Sequence, residues 1–324
     1  VIARGRGLGK VILFGEHAVV YGHPALAGAI DRGVTITGQP GRLALEVPAW
    51  SLSVEADADA DAHAHPVARA LRAIGDAVAG LAAPRRAVTA DDALALDGFL
   101  DRLPIALHGD ATVPAGVGLG SSAALAVAIT RALAAASDVT LTPDEVVDIA
   151  NAAEGVFHQR PSGVDVALAA HGGVGLFERG VGLRRVATPP LRLVIGLSGE
   201  PRRTRDMVAR VATATGERPD DPRLMALGAL ASAGAHALTR GDLSALGAMM
   251  DDAHARLAEL GVSTAALDQL ATLARSAGAL GAKLTGAGGG GAVIALAPGR
   301  QAEVTAAWQA AGVATLDVVV GGAA

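Results

Sequence analysis

Pro114-Ala115-Gly116-Val117-Gly118-Leu119-Gly120-Ser121-Ser122-Ala123-Ala124 reads as a loop that opens directly into a buried helix. Glycines alternate with small apolar residues, two serines follow, and an apolar run continues to Ala136 with Arg131 as its only charge. Glycine takes positive φ without steric cost and lets the backbone come close to a ligand. The first turn of a helix presents unpaired N–H groups and the positive end of the dipole. Loop and helix start together make an anion site, most often for phosphate. The hydroxyls of Ser121 and Ser122 stand where a metal ion beside that phosphate needs an oxygen ligand.

Other readings of the loop compete. No lysine follows Gly120, so it is not a Walker A loop. Gly118-x-Gly120-x-x-Ala123, with Asp138 downstream, fits a loose dinucleotide fingerprint. Gly109 and Pro114 interrupt the run before it, however, and no second strand separates the helix from Asp138. The plainest alternative is a glycine-rich turn that only lets a helix pack tightly.

Composition bounds the rest. With 324 residues the chain can form one large domain or two ordinary ones. Hydrophobic residues make up 51% and aromatic ones only 2%, so the core must be built from Ala, Leu, Val and Ile. The net charge of −5 offers no basic surface to nucleic acid. The absence of cysteine excludes disulfides, thiolate catalysis and thiolate metal sites, and is compatible with a cytoplasmic protein. No apolar run reaches transmembrane length, and Val1 to Arg6 lacks the apolar core of a signal peptide.

Along the chain, Val11 to Phe14 reads as a short strand with Lys10 at its start and Gly15-Glu16-His17 at its end. Pro24 to Ile30 is helix or strand, and Val34–Thr37 and Leu43–Val47 alternate like strands. Residues 55–65 alternate Ala with Asp and then His, and read as a solvated loop. Val67 to Leu81 is helical, and Ile105 to Asp110 is a strand feeding the glycine loop. Thr142-Pro143-Asp144-Glu145 is a capping box that starts a helix with Glu154 in its last turn. Arg160 to Asp165 reads as a turn, followed by apolar Val166 to Ala170. Pro189-Pro190 is the best boundary signal, with a buried strand, Leu191 to Ser198, behind it. Helices are expected near 204–214, 222–239, 243–258, 264–277 and 299–311, and strands at Ala292–Ala297 and Val313–Val320. Lys283 to Gly291 forms a second glycine loop. Strands and helices in both halves argue for an α+β architecture in two domains, 1–188 and 189–324.

Four segments ask for one explanation. The first glycine loop binds polyphosphate, and the second can close over the same ligand with Thr285 supplying a hydroxyl. Lys10 and Glu16-His17 flank one strand, and Asp165 stands in a turn where a carboxylate meets a substrate. Phosphoryl transfer needs a phosphate cradle, a metal site, positive charge at the transferred group and a carboxylate near the attacking hydroxyl. Glu154 and Ser122 could supply a Mg²⁺ site, which wants hard oxygen ligands. Taken singly, Glu154 as a solvated helix end, Lys10 as a strand charge and Asp165 as a turn cap are each commoner; their joint occurrence beside two glycine loops is not.

At this point the chain resembles the GHMP small-molecule kinases, and within them the mevalonate kinases. Lys10 to Gly22, Pro114 to Ala124 and Lys283 to Gly291 match three motifs of that family. Pro161 to Asp165 with Gly172-Gly173, and Arg203-Thr204-Arg205 ahead of Met207-Val208, resemble two further stretches. The resemblance implies the two-domain GHMP kinase fold with the active site, ATP and Mg²⁺, in the cleft between domains. By position Asp165 becomes the catalytic carboxylate and Lys10 its positive partner. The nucleotide falls to Pro114, Gly116, Gly118, Leu119, Gly120, Ser121, Ser122, Ala123 and Gly288. Mg²⁺ falls to Ser122 and Glu154, and the substrate, mevalonate, to Glu16, His17, Thr204, Gly286 and Ala287. The family allows a homodimer. Another acceptor (phosphomevalonate, homoserine or a sugar) and a catalytically silent ligand sensor are the alternatives.

There are departures. Leu8-Gly9 replaces the family's Ala-Pro-Gly before the lysine, which leaves the backbone there less fixed. Val166-Ala167 follows Asp165 where a polar residue is common, with consequences for selectivity.

Overall fold

The computed structural model describes residues 3–42, 44–55, 65–86, 105–157, 163–201 and 203–321. Most of the Asp/His-alternating stretch, together with Arg160, Pro161, Ser162 and Arg202, lies outside them.

The organising strand is β2, Ala25–Pro40. It pairs antiparallel with β1 (Ala3–Phe14), β5 (Ile105–Ala111) and β6 (Val174–Glu178). Beyond β5 lie β3 (Ala44–Val47), parallel to it, and β4 (Leu52–Glu55); β7 (Gly182–Arg185) pairs with β6. In the other direction β11 (Thr315–Val320) touches β2 through the pair Val320–Ile30 and then runs antiparallel to β8 (Leu191–Leu197). Next come β10 (Ala292–Leu296) and β9 (Gly281–Thr285). The path β4-β3-β5-β2-β11-β8-β10-β9 is thus one continuous mixed sheet.

Helices α1 (Pro66–Arg86), α2 (Ser121–Ala136), α3 (Pro143–Phe157) and α4 (Val164–His171) pack in the first half of the chain. Helices α5 (Thr204–Thr215), α6 (Pro222–Arg240), α7 (Leu243–Glu259), α8 (Ala265–Ser276) and α9 (Gln301–Ala310) follow in the second. The chain is α+β, as the strands and helices read in both halves imply, and its core is of the expected kind: α2 is built mainly from Ala, Leu, Val and Ile and is buried from Ala123 to Ala134 except at Arg131. Alanines let it lie close to β1. A Cβ on Gly5 would meet Ala128 O at 2.1 Å, and one on Gly7 would meet Ala124 O at 2.1 Å. The capping box holds: Thr142 N donates to Glu145 Oε2 at 2.7 Å and Glu145 N to Thr142 Oγ1 at 3.2 Å.

Three readings of the sequence are corrected. β1 begins at Ala3, so Lys10 is inside the strand rather than at its start. Of the stretch Pro24–Ile30, residues from Ala25 onward form one strand, β2, together with Val34–Thr37. Asp165 stands in the first turn of α4, not in a free turn.

Candidate active site

The strand β5 delivers the chain into the 114–120 loop, and α2 starts at Ser121. Gly116, Gly118 and Gly120 all take positive φ, 75°, 91° and 73°. No side chain caps α2, so its first-turn amides stand at the loop as an anion site. Gly120 is required for a second reason. A Cβ there would lie 2.8 Å from Cγ of Lys10. The Lys10 amide donates to Leu119 O at 2.9 Å, so the loop rests directly on the lysine. A β-bulge falls between Leu8 and Lys10. A Cβ on Gly9 would meet Leu119 O at 3.0 Å and Arg32 O at 3.2 Å. The backbone before Lys10 is therefore confined between loop and β2, although the family's proline is missing.

Lys10 Nζ lies 3.0 Å from Asp165 Oδ1. The lysine is buried and the carboxylate is 31% exposed, so the pair opens to solvent on the Asp165 side. Gly163, at φ 84°, turns the chain into α4 and places Asp165 where the helix dipole attracts negative charge. Glu154, in the last turn of α3, is hydrogen-bonded to Ser122. Burial pushes its carboxyl up to about 7; the Ser122 hydrogen bond pulls it down, Asp165 pushes it up and Lys10 pulls it down. Four side chains from four elements thus share one electrostatic neighbourhood: Lys10 (β1), Ser122 (α2), Glu154 (α3) and Asp165 (α4).

The donor set fits a hard cation. The Ser122 hydroxyl and the Glu154 carboxylate are in hydrogen-bond contact where α2 leaves the glycine loop. Hard oxygen donors of this kind are the type that Mg²⁺ accepts.

The other expected residues fall in two groups. His17 follows β1 at φ 60°, and its Nε2 lies 2.8 Å from Ala287 O. Since a carbonyl only accepts, Nε2 carries the proton. Burial lowers the His17 pKa, against the pull of that hydrogen bond. Gly286 and Gly288 take positive φ, 84° and 75°, and a Cβ on Gly288 would collide with Val262 O at 2.1 Å. Thr204 opens α5, half-buried. Glu16 is different: its side chain is fully buried and bonded to Lys283. Thr285 does not offer its hydroxyl to a ligand. Its Oγ1 accepts from Ile12 N and donates to Ile12 O, both at 3.0 Å. Val166 and Ala167 are buried on the inner side of α4, so the departure from the family pattern sits in packing. The residue that sequence reasoning missed is Lys283. It was visible in the third motif, but its partner is distant in the chain and nothing local marks the pairing.

Comparison with known proteins identifies the family. Residues 86–173 match the GHMP kinases N terminal domain and residues 235–314 the GHMP kinases C terminal domain. The mevalonate kinase of Thermococcus sibiricus is 34% identical over 318 residues, covering 94% of this chain and 91% of that protein. The mevalonate kinase of Pyrococcus horikoshii is 36% identical with the same coverage, 94% and 91%. Among solved structures, L. major mevalonate kinase in complex with R-mevalonate superposes with a TM-score of 0.74 at 28% identity, covering 99% of this chain and 97% of that one. The Methanococcus jannaschii mevalonate kinase gives a TM-score of 0.80 at 22% identity, covering 99% and 98%. With identity above 30% across nearly its whole length, the chain belongs to the GHMP kinase family, on its mevalonate kinase branch.

Proposed function

We propose that the chain transfers the γ-phosphate of ATP to the primary hydroxyl of mevalonate, giving 5-phosphomevalonate for isoprenoid synthesis. The observation that carries this is the Lys10–Asp165 pair at 3.0 Å, set against the loop that precedes α2 and beside the Ser122–Glu154 contact. The 114–123 segment holds the nucleotide phosphates through its amides. Ser122 and Glu154 would hold Mg²⁺, which when bound neutralises phosphate charge during transfer. The acceptor oxygen attacks the γ-phosphorus, the bond to the ADP oxygen breaks, and the hydroxyl proton passes to Asp165. Lys10 holds Asp165 in place and faces the transferring group with positive charge. His17, Thr204, Gly286 and Ala287 line the acceptor side, with Glu16 buried behind them. Gly288 closes over the nucleotide. The reading includes two domains divided at 188/189, supported by Pro189-Pro190, and a cytoplasmic enzyme that the relatives' family allows to dimerise.

A coupled ADP-release assay with ATP and Mg²⁺ tests it, comparing mevalonate, phosphomevalonate, homoserine and galactose. Turnover on mevalonate above the others is expected. Preference for another acceptor keeps the phosphoryl chemistry and replaces the substrate; turnover on none removes the kinase reading. Asp165→Asn is expected to retain nucleotide binding and to lose about 100-fold or more in kcat, the scale of one transition-state contact.

A further inference from the structure

Two buried charged groups stand beside the site without a part in the transfer described above. Lys283 on β9 and Glu16 after β1 have side chains 0% exposed and are joined Nζ to Oε1. Lys283 Nζ also donates to Leu284 O at 2.7 Å, and Glu16 Oε2 has no hydrogen-bond partner. Burial pushes the Glu16 carboxyl up and the Lys283 ammonium down, and their mutual attraction and hydrogen bond oppose both shifts. A buried ion pair is a weak source of stability, because desolvation offsets the Coulombic gain and an apolar pair of similar volume often does as well. What this pair contributes is better sought in what it joins.

Strands β1 and β9 are not neighbours in the sheet: β1 pairs with β2, and β9 with β10. Among the described residues, side-chain hydrogen bonds bridge them. Thr285 clasps both backbone polar groups of Ile12, Glu16 meets Lys283, and His17 meets the Ala287 carbonyl. The β9 side of this seam is anchored to its neighbouring helix. It is an edge strand whose outward amides are taken by α7: Ala282 N donates to Asp251 Oδ1 at 3.0 Å and Leu284 N to His254 Nδ1 at 3.2 Å. The β1 side is strained. His17 holds φ 60° and ψ −45°, which a residue with a side chain keeps only where its surroundings impose it. Glu16 also feels the charge of Lys10, the ammonium paired with Asp165.

We propose that Lys283 is a positioning residue for phosphoryl transfer: through Glu16 it fixes the Gly15–His17 turn, and with it the end of β1 that carries Lys10, against the 286–291 loop. This rests on the kinase reading above. With no exposed surface Lys283 cannot touch a substrate, so its effect on rate passes through other residues.

The test compares wild type with Lys283→Met, Glu16→Gln and the double variant Lys283→Met/Glu16→Leu. Readouts are kcat, both KM values, Tm, and Mg·ADP affinity measured without turnover. In Lys283→Met, kcat should fall about tenfold or more, since small displacements of catalytic groups cost up to about 100-fold. Mg·ADP affinity and the KM for ATP should change much less than kcat, because Lys283 touches no residue of the 114–123 segment and reaches it only through the backbone of β1. The double variant, with no orphaned charge, should recover the wild-type Tm but not its kcat. A double variant that turns over at the wild-type rate overturns the proposal, as does a loss confined to nucleotide binding. Should the Lys283 variants fail to fold, Glu16→Gln decides: reduced kcat at an unchanged KM for mevalonate supports the proposal, and wild-type kcat overturns it. Failure of the wild type to phosphorylate mevalonate would instead strike the kinase reading.

Discussion

Glu154 is a carboxyl that the fold holds at a disadvantage. Its pKa is raised to about 7, mainly by burial, so the native state binds its proton more tightly than the unfolded chain does. For a raised group, the stability it contributes is complete below the ordinary carboxyl range and is lost as pH rises through the folded value. The ligand-free protein should therefore lose on the order of 3 kcal/mol from this residue between pH about 4.5 and a pH above 7. Glu154→Gln should flatten that slope and raise the melting temperature at pH 8 while abolishing Mg²⁺-dependent turnover. Melting curves at pH 5 and pH 8 without nucleotide check it; equal slopes in both proteins would place the titration elsewhere. At this scale the sequence was most legible where chemistry is local. The glycine loop, its serines and the capping box each signal within a few residues. The Glu16–Lys283 pair was illegible because either residue alone is ordinary.

Among the elements, α2 ties three pieces of the site together from its middle. Arg131, the lone charge in an apolar run, donates to Arg6 O on β1 and to Ala170 O on α4, both at 2.6 Å. The elements that carry Lys10, Ser122 and Asp165 therefore share one guanidinium. Arg131→Met would leave two carbonyls without their charged donor and should cost about 3 kcal/mol, given roughly 1.5–3 kcal/mol for a hydrogen bond to a charged group and partial compensation by water. Thermal and urea unfolding measure it, and a loss below about 0.5 kcal/mol, within the range of a neutral surface change, would show that the tie is idle. The same packing explains why the first part of β1 escaped notice in the sequence. Its inward positions are Gly5 and Gly7, chosen so that the α2 backbone can approach, and its outward positions are Arg4 and Arg6. A search for alternating apolar residues finds none there. Asp165 was misplaced for a related reason: Pro and Gly before it signal a turn, yet the apolar run after it, packed on β1 and α2, draws the aspartate into a helix.

For the whole molecule, the sheet continues across the proposed 188/189 division, and β11 is the strand that makes it so, lying between β2 and β8. Its Val318 and Val320 are buried. Burial of two such side chains is worth roughly 3–6 kcal/mol, a large part of the 5–15 kcal/mol that holds a typical domain. A chain cut before Thr315 should thus fail to give a cooperative melt and should be cleaved rapidly by protease; retention of both resistance and turnover would mean that the remaining strands close the sheet without it. The proline pair marked a boundary in the sequence, but the return of the final strand to an early one is a long-range pairing that no local pattern announces. This return also orders events in time. β2 is made early in synthesis and β11 last among the described strands, so on the ribosome β2 and β8 wait with open edges until the residues up to Val320 have emerged. The folded enzyme is well protected along this seam, and its period of greatest exposure to misassembly falls before β11 has been made.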